Sequence, residues 1–443
     1  MIAILITALM LAAQVPAAGP EMTLDQAVAA ALSTHPQIRQ SEAGIETAAS
    51  RVELEKASRL PKVQISESLT RGNNPVFVFG SLLEQGRFGP ENFLISSLNN
   101  PNPITNLRSA ITTSSTLFDG MRTTARIDQA RESKSQADLR LRLVEQSVRF
   151  EVIRAYYGLI VAHSAKDVAD QAVRTAESNV QRVQDRLQAG LVVDSDLLAA
   201  QVELSNLKRQ QIQSQGDVVS AEATFNTWIG QPVDASPQIS GSLTEKVFEI
   251  EDQEALIRRA VDHRPDYAAS SSMVRTSEDR VREVRADFLP SARALASFGV
   301  SGRNLSTGSA DYTFGVNVTF DLFNGERKAR LSEARSAQSS ARAQRDERGE
   351  QIRLDVVRAV QQFMTAKQQL DVARSSVEQA QEALRIIQDR YELGLTTITE
   401  LLRVQTELVR AQMGVLASRH AYFVGYAAVL LATGELTDVR SFS

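Results

Sequence analysis

The sequence predicts a mainly α-helical chain with membrane β-strands, internally duplicated so that each copy supplies two strands and one long helical hairpin. Three observations carry this reading. Landmarks recur at near-constant offsets: Pro36 with Pro265 and Pro61 with Pro290 are 229 residues apart, Gly120 with Gly325 are 205, and Gly190 with Gly394 and Gly230 with Gly434 are 204. No proline interrupts the chain between Pro103 and Pro232 or after Pro290, so long helices are permitted. From Tyr312 to Leu322 apolar and polar residues alternate strictly, with Tyr312, Phe314, Val316, Val318, Phe320 and Leu322 on one face.

Taken from the N-terminus, Ile2 to Leu11 is an apolar run followed by small residues, which reads as a signal peptide over 1–18. Thr23-Leu24-Asp25-Gln26 has capping-box spacing and starts a short helix. Pro36 suits the first turn of the next helix and Leu60-Pro61 ends it. The first copy then spans 19–230, with strands expected at 62–80 and 108–118 and a helical hairpin over 121–229. A linker or equatorial segment, 231–252, holds Pro232, Pro237 and Gly241. The second copy, 253–434, carries strands at 291–303 and 311–322 and a hairpin over 326–433, and 435–443 is a short tail. The fall in offset from 229 to 205 places a loop about 24 residues longer in the first copy, between its strands, because repeats differ mainly in their loops. That loop, 71–108, is too apolar at Pro75 to Phe79 and at Phe93 to Ile95 for a free linker, and is expected to extend a strand or fold over the mouth of a pore.

Met121 to Leu187 is rich in Ala, Arg, Glu, Gln and Leu, enough for roughly 100 Å of helix at 1.5 Å per residue. Its later part, Ala169, Val173, Ala176, Val180, Val183 and Leu187, has the spacing of a coiled-coil seam. The last helix carries two stripes. One seam sets Leu401, Leu408, Val415, Tyr422 and Val429 beside the small row Val404, Ala411, Ser418 and Gly425; the second is Leu395, Leu402, Val409, Leu416, Phe423 and Leu430. Two stripes suit a helix packed on both sides in a closed ring, as well as a broad buried face in a bundle.

The Tyr312 strand, its mate through Ala294, Ala296, Phe298 and Val300, and the weaker segments Val63–Leu69 and Ile111–Phe118 make four strands. No run after the leader reaches the roughly 18 apolar residues of a membrane helix, so a membrane would be crossed by strands. Transmembrane barrels begin at about eight strands and leave no edge in lipid, so one chain cannot close. Two chains give a barrel filled by its own side chains, and three give an open lumen.

Composition excludes other classes. Net charge is −4 and aromatics are 5%, so no basic nucleic-acid surface is present. With no cysteine there is neither thiol chemistry nor a cysteine-ligated metal. His35, His163, His263 and His420 stand apart without metal-ligand spacing, and no phosphate loop or nucleophile elbow occurs. No catalytic, cofactor or metal site is expected.

In this order and spacing, the two Leu-Pro helix exits, Leu117-Phe118-Asp119-Gly120 with Leu322-Phe323-Asn324-Gly325, and the tips Ala189-Gly190-Leu191 and Leu393-Gly394-Leu395 resemble the outer-membrane efflux proteins, the TolC-like channels. The resemblance spans nearly the whole chain after the leader. It implies a homotrimer whose twelve-strand outer-membrane β-barrel continues as a long periplasmic α-helical barrel. It further implies tip-to-tip docking with a periplasmic adaptor (membrane fusion) protein and an inner-membrane pump or transporter. Such a channel is a passive export conduit of a tripartite efflux or type I secretion system.

On that resemblance Gly190, Leu191, Gly394 and Leu395 are the adaptor-docking candidates, although glycine at a helix end is also plain turn chemistry. Glu400 and Arg403 fall one turn apart where such channels narrow. The family's gates carry two acidic rings there, and Arg403 replaces the second. Asp194 and Asp196 lie at the matching tip of the first copy. Caps compete with gating in both places, since Thr397-Ile398-Thr399-Glu400 has capping-box spacing and Asp194 is a good N-cap residue. The rival class is a soluble periplasmic coiled-coil adaptor or scaffold, which would share the leader and the heptads and lack the Tyr312–Leu322 strand.

Overall fold

A computed structural model describes residues 21–241 and 246–442, so the expected leader lies outside the described residues. The described residues divide into two compact units, one drawn from 21–42, 139–268 and 347–442, the other of Ala43–Asp138 and Ala269–Asp346. In chain order the elements are α1 (Leu24–Thr34), α2 (Pro36–Ala57), β1 (Lys62–Gly72), α3 (Pro75–Glu84), α4 (Ile95–Asn99), β2 (Ile104–Phe118), α5 (Arg122–Gln188) and α6 (Asp194–Ile229). There follow α7 (Gln253–His263), α8 (Pro265–Arg285), β3 (Ser291–Gly302), β4 (Ser309–Thr319), α9 (Glu326–Glu392) and α10 (Ile398–Thr433). The two hairpins match in length: α5 and α9 each have 67 residues, and α6 and α10 each have 36.

The helix starts follow local chemistry. Thr23 forms a complete capping box with Gln26, and α2 and α8 open on Pro36 and Pro265. The apolar run Pro75–Phe79 is helical, which corrects the expected strand over 62–80: β1 ends at Gly72. Asn74 accepts hydrogen bonds from the amides of Val76 and Phe77, Pro75 fits the first turn, and Val78 and Leu82, four apart, share the buried face. β2 begins at Ile104, four residues earlier than expected, and β4 spans Ser309–Thr319, so Phe320 and Leu322 lie beyond it.

In the first unit the core is built where α5, α6, α9 and α10 pack with α1 and α7. Phe363 of α9 is 1% exposed and stacks on Tyr422, with ring centroids 5.2 Å apart. Opposite it Gly425 leaves no room: a Cβ there would stand 3.2 Å from the Phe363 Cα. Two members of the expected seam, Tyr422 of the large row and Gly425 of the small one, thus meet the same α9 side chain, which the heptads did not name. The linker and the tail also belong to this core. Phe248 stacks on Tyr426 at 4.1 Å and its amide donates to the Tyr422 hydroxyl, while Leu436, Val439 and Phe442 are buried. The α5 seam is buried at Ala169, Val173, Ala176 and Val183.

One expectation about apolar runs is corrected. By length and composition α10 is apolar enough to cross a membrane. Part of its apolar surface is used in packing, since Tyr422, Phe423, Gly425, Ala427, Val429 and Ala432 are buried against the chain, while only 33% of its most apolar window is covered.

In the second unit α5 and α8 meet through charge. Glu283 accepts from Arg126 Nε at 2.8 Å, Gln129 Nε2 at 3.0 Å and Arg280 Nη1 at 2.5 Å; Glu132 accepts from Arg275 at 2.9 Å and Ser272 Oγ at 2.7 Å. Burial pushes both carboxyls up, but these hydrogen bonds outweigh it and leave both below the ordinary value of 4.5. A depressed folded pKa contributes stability that is present above the unfolded value and lost as pH falls through the folded one. Thermal unfolding followed by helical circular dichroism should therefore be steady above about pH 4.5 and weaken below it. Glu283→Gln should flatten that acid limb; an unchanged limb would remove Glu283 from the effect.

Candidate functional site

The four strands form one antiparallel sheet in the order β1-β2-β3-β4, and its register assigns every side chain to a face. Ile65 pairs with Ile111, Ile111 with Phe298, and Phe298 with Tyr312, so one apolar row crosses all four strands. The next row on the same face is Val63, Thr113, Ala296 and Phe314, followed by Ser115, Ala294 and Val316. Phe314 is 74% exposed and Tyr312 84%. The opposite face carries Gln64, Thr112, Ser297 and Thr313 in one row and Thr116, Arg293 and Asn317 in another. A face of exposed large apolar residues backed by a polar face is what a strand between lipid and a watery lumen requires. Glu67 lies on the apolar face one row beyond the Tyr312 row, where the aromatic boundary ends. At the other end of the strands, Leu117, Phe118, Met121, Phe320, Leu322 and Phe323 are exposed, a belt of apolar side chains at the strand-to-helix junction.

The hairpin tips are built alike. Gly190 and Gly394 adopt φ of 71° and 72°, the left-handed region that L side chains rarely occupy. At each tip two amides turn back onto the preceding helix: Gly190 N to Leu187 O and Leu191 N to Arg186 O, then Gly394 N to Tyr391 O and Leu395 N to Arg390 O. These are Schellman caps. In that motif the residue after the glycine commonly folds back on its helix, yet here Leu191 is 73% exposed and Leu395 64%. Turn chemistry explains the glycines and leaves the outward leucines unexplained.

Behind the turns the two tips form one body. Val183, Ala200, Tyr391, Ile398, Leu401 and Leu402 make a common apolar cluster. Arg186 lies over the Tyr391 ring at 4.6 Å and donates to the carbonyls of Tyr391 and Glu392, capping the C-terminus of α9 from the other hairpin. Asn179 donates to Gln405 Oε1 at 2.7 Å, and Thr406 Oγ1 donates to Glu203 at 2.8 Å. Sequence reasoning missed Arg186 and Tyr391. A signal was available, because Asp-Arg precedes the Gly-Leu tip at the same distance in both copies, Asp185-Arg186 and Asp389-Arg390.

Of the charged tip residues, the structure joins Glu400 to Arg403. The guanidinium donates to both carboxylate oxygens, Nε to Oε2 at 3.0 Å and Nη2 to Oε1 at 2.7 Å. The hydrogen bond from Arg403 holds the Glu400 carboxyl below the usual carboxylate range. This corrects the capping box: Thr397 Oγ1 accepts from the Glu400 amide, but the Glu400 carboxylate turns forward to Arg403. Only half of the box forms, because a bidentate ion pair competes better than one bond to a neutral amide. The expected Asp194 N-cap is also corrected. Val193 is the capping residue, without a side-chain bond, and Asp194 and Asp196 sit in the first turn of α6, where carboxylates complement the helix dipole. Among the described residues no cluster of His, Asp or Glu is arranged to hold a metal ion.

Solved structures share this fold. A membrane protein from Pseudomonas aeruginosa matches with a TM-score of 0.81 at 19% identity, over 93% of this chain and 90% of that one. The CmeC outer membrane channel of Campylobacter jejuni gives 0.78 at 17% identity over 94% and 86%, and VceC of Vibrio cholerae gives 0.77 at 17% over 93% and 96%. The architecture is that of a TolC-like outer-membrane channel. By sequence, the model of the outer membrane efflux protein family matches residues 27–231 and 256–435, and the chain belongs to that family. The outer membrane efflux protein BepC of Brucella suis is 23% identical over 257 residues, 57% of this chain and 55% of its own length. The pyoverdine export outer membrane protein OpmQ of Pseudomonas putida is 27% identical over 249 residues, 52% and 49%. The chain thus spans about half the length of the curated relatives it matches. It is a protein of the cell outer membrane with a large periplasmic portion, in a family of channel proteins and not of enzymes.

Proposed function

We propose that three copies of this chain assemble into an export channel, a twelve-strand outer-membrane barrel continued by a periplasmic helical barrel. In this reading the chain is the passive outer conduit of a tripartite efflux or type I secretion system. One observation carries the proposal: a four-stranded sheet, exposed and apolar on one face and polar on the other, has two outer strands, β1 and β4, with no further strand beside them among the described residues. Backbone groups cannot stay unpaired in lipid, so the sheet must close through other copies. The doubled apolar stripes of α10 and the matched hairpin lengths support the helical ring. The outward leucines 191 and 395, on turns that do not need them exposed, support docking to the hairpin of a periplasmic adaptor, which in turn engages an inner-membrane pump or transporter. The water-filled conduit selects little, so the pump supplies recognition of cargo.

The test is extraction and conduction. The protein should leave the membrane only with detergent, run as a heat-modifiable trimer and open pores in planar bilayers. Release by osmotic shock as a soluble rod would overturn the channel and favour a periplasmic scaffold.

In the same reading Glu400 and Arg403 form the periplasmic constriction, with Asp194 and Asp196 adding lumenal charge. Three closed Glu400–Arg403 pairs carry no net charge, so the ring is only weakly selective for cations. Glu400→Gln leaves Arg403 uncompensated and should move the reversal potential under a salt gradient toward anion selectivity. An unmoved reversal potential would take Glu400 out of the constriction.

A further inference from the structure

We propose that residues 73–103 are an inward-folded constriction of the outer mouth that limits the size of what leaves the channel. The inference rests on the channel reading above. β1 and β2 are adjacent antiparallel strands, and their connection is far longer than pairing requires, since β3 and β4 are joined by Arg303–Gly308 alone. The extra chain is folded. Phe79, Phe88 and Phe93 pack edge to face at 4.6 and 5.0 Å, and Val78 and Leu82 are buried.

The direction of folding follows from the register. In β2 the even-numbered residues Asn106, Arg108, Ala110 and Thr112 lie on the polar face, opposite the Ile65–Tyr312 row. The end of α3 is tied to that face. Gln85, 3% exposed, donates from Nε2 to the Thr105 carbonyl and to Asn106 Oδ1, both at 2.9 Å, and Asn106 donates to Glu84 at 3.2 Å. Beyond Asn106, Arg108 donates to both Asp311 oxygens at 2.7 and 2.9 Å and lies 3.9 Å from Glu84. Gly86 falls against Ser309, which is on the polar face with Asp311. The burial agrees, for Asn106, Ala110, Gly299 and Ser301, all on this face, are covered at this end of the sheet. The insertion therefore covers the lumenal side of its own strands at the end away from the long helices. Val76, Leu83, Phe93, Leu94 and Ile95 remain exposed on it, and an apolar constriction resists hydrated solutes.

The chain has no cysteine, so an engineered pair is clean. A Cβ built on Gly86, whose left-handed φ of 65° costs a side chain about 1–2 kcal/mol, stands 3.5 Å from the Ser309 Cβ, within the roughly 3.5–4.5 Å that a disulfide spans. The experiment compares purified trimers in planar bilayers, with polyethylene glycols of graded size as probes of the aperture. Gln85→Ala with Asn106→Ala, and separately a chain with 75–99 replaced by a short Gly-Ser turn, should raise single-channel conductance by about twofold or more and admit larger polymers. Gly86→Cys with Ser309→Cys should cross-link in the membrane and hold the low, reducible conductance. Unchanged conductance and polymer cut-off in both opened variants, with the trimer intact, would overturn the constriction. Failure of the pair to cross-link, as expected if the segment lay in the outer leaflet instead, would also overturn it. An unmodified protein that conducts nothing would overturn the channel reading itself, and this inference with it.

Discussion

Phe363→Ala should cost the helical unit about 3–5 kcal/mol, the largest effect of any single substitution considered, because a buried aromatic loses both its transfer free energy and its packing. Phe363 is 1% exposed, stacks on Tyr422, approaches Tyr426 at 5.9 Å and closes against Gly425. The reverse error should also be costly. In Gly425→Leu the Cβ alone meets the Phe363 Cα at 3.2 Å, so the further carbons have no space, a strain of about 1–3 kcal/mol or more. Combining the two should recover part of the loss, since the added leucine enters the volume the ring vacates. The measurement is the temperature at which detergent-purified protein loses its helical circular dichroism. Leu354→Ala on the same helix, at a side chain 46% exposed, is the control and should stay within about 0.5 kcal/mol of the parent. A Phe363→Ala protein as stable as that control would mean that the α9–α10 seam is not packed as described.

The second large effect is expected at the tips, and it is functional. Gly394→Trp should reduce export to that of a deletion strain while the trimer and its melting temperature change little. No atom lies within 4 Å of a Cβ built on Gly394, so a side chain starts into open space. The left-handed backbone costs a side chain about 1–2 kcal/mol, and asparagine tolerates it best. Gly394→Asn therefore separates the two roles of the residue. Retained export with Asn and lost export with Trp identify a surface that another protein must approach. Leu191→Asp with Leu395→Asp should reproduce the loss without touching either glycine. Wild-type compound resistance in the Trp variant would sink the docking role.

The long helices were legible because proline is absent over whole hairpins and strong helix formers fill them, and the Schellman glycines mark where they turn. β4 was legible from alternation, since exposed apolar and polar residues sort onto two faces with a period of two. Pro75 to Glu84 misled for a physical reason. A short apolar run carries too few residues to distinguish a period of two from 3.6, and Asn74-Pro75 was the better guide. At the tips, residue types and spacing located the charges but not their partners. Glu400 had two options of similar reach, the Thr397 amide behind and Arg403 ahead, and a charged partner binds better than a neutral one. Arg186 was hidden because its targets, two carbonyls at the end of α9, lie about 200 residues along the chain and become neighbours only when the hairpins pack.

The two bare edges of the sheet also govern how the protein comes to be. Within each long helix the backbone bonds join residues close in sequence, and such segments form quickly. The sheet has no such route if it closes as proposed, because β1 and β4 are its outer strands among the described residues and would pair on other chains. A lone copy outside the bilayer presents two sticky strands and a face of bare aromatics, the surface from which aggregation starts. On the proposed closure, insertion is tied to meeting siblings, and its rate should climb steeply with the amount of chain supplied.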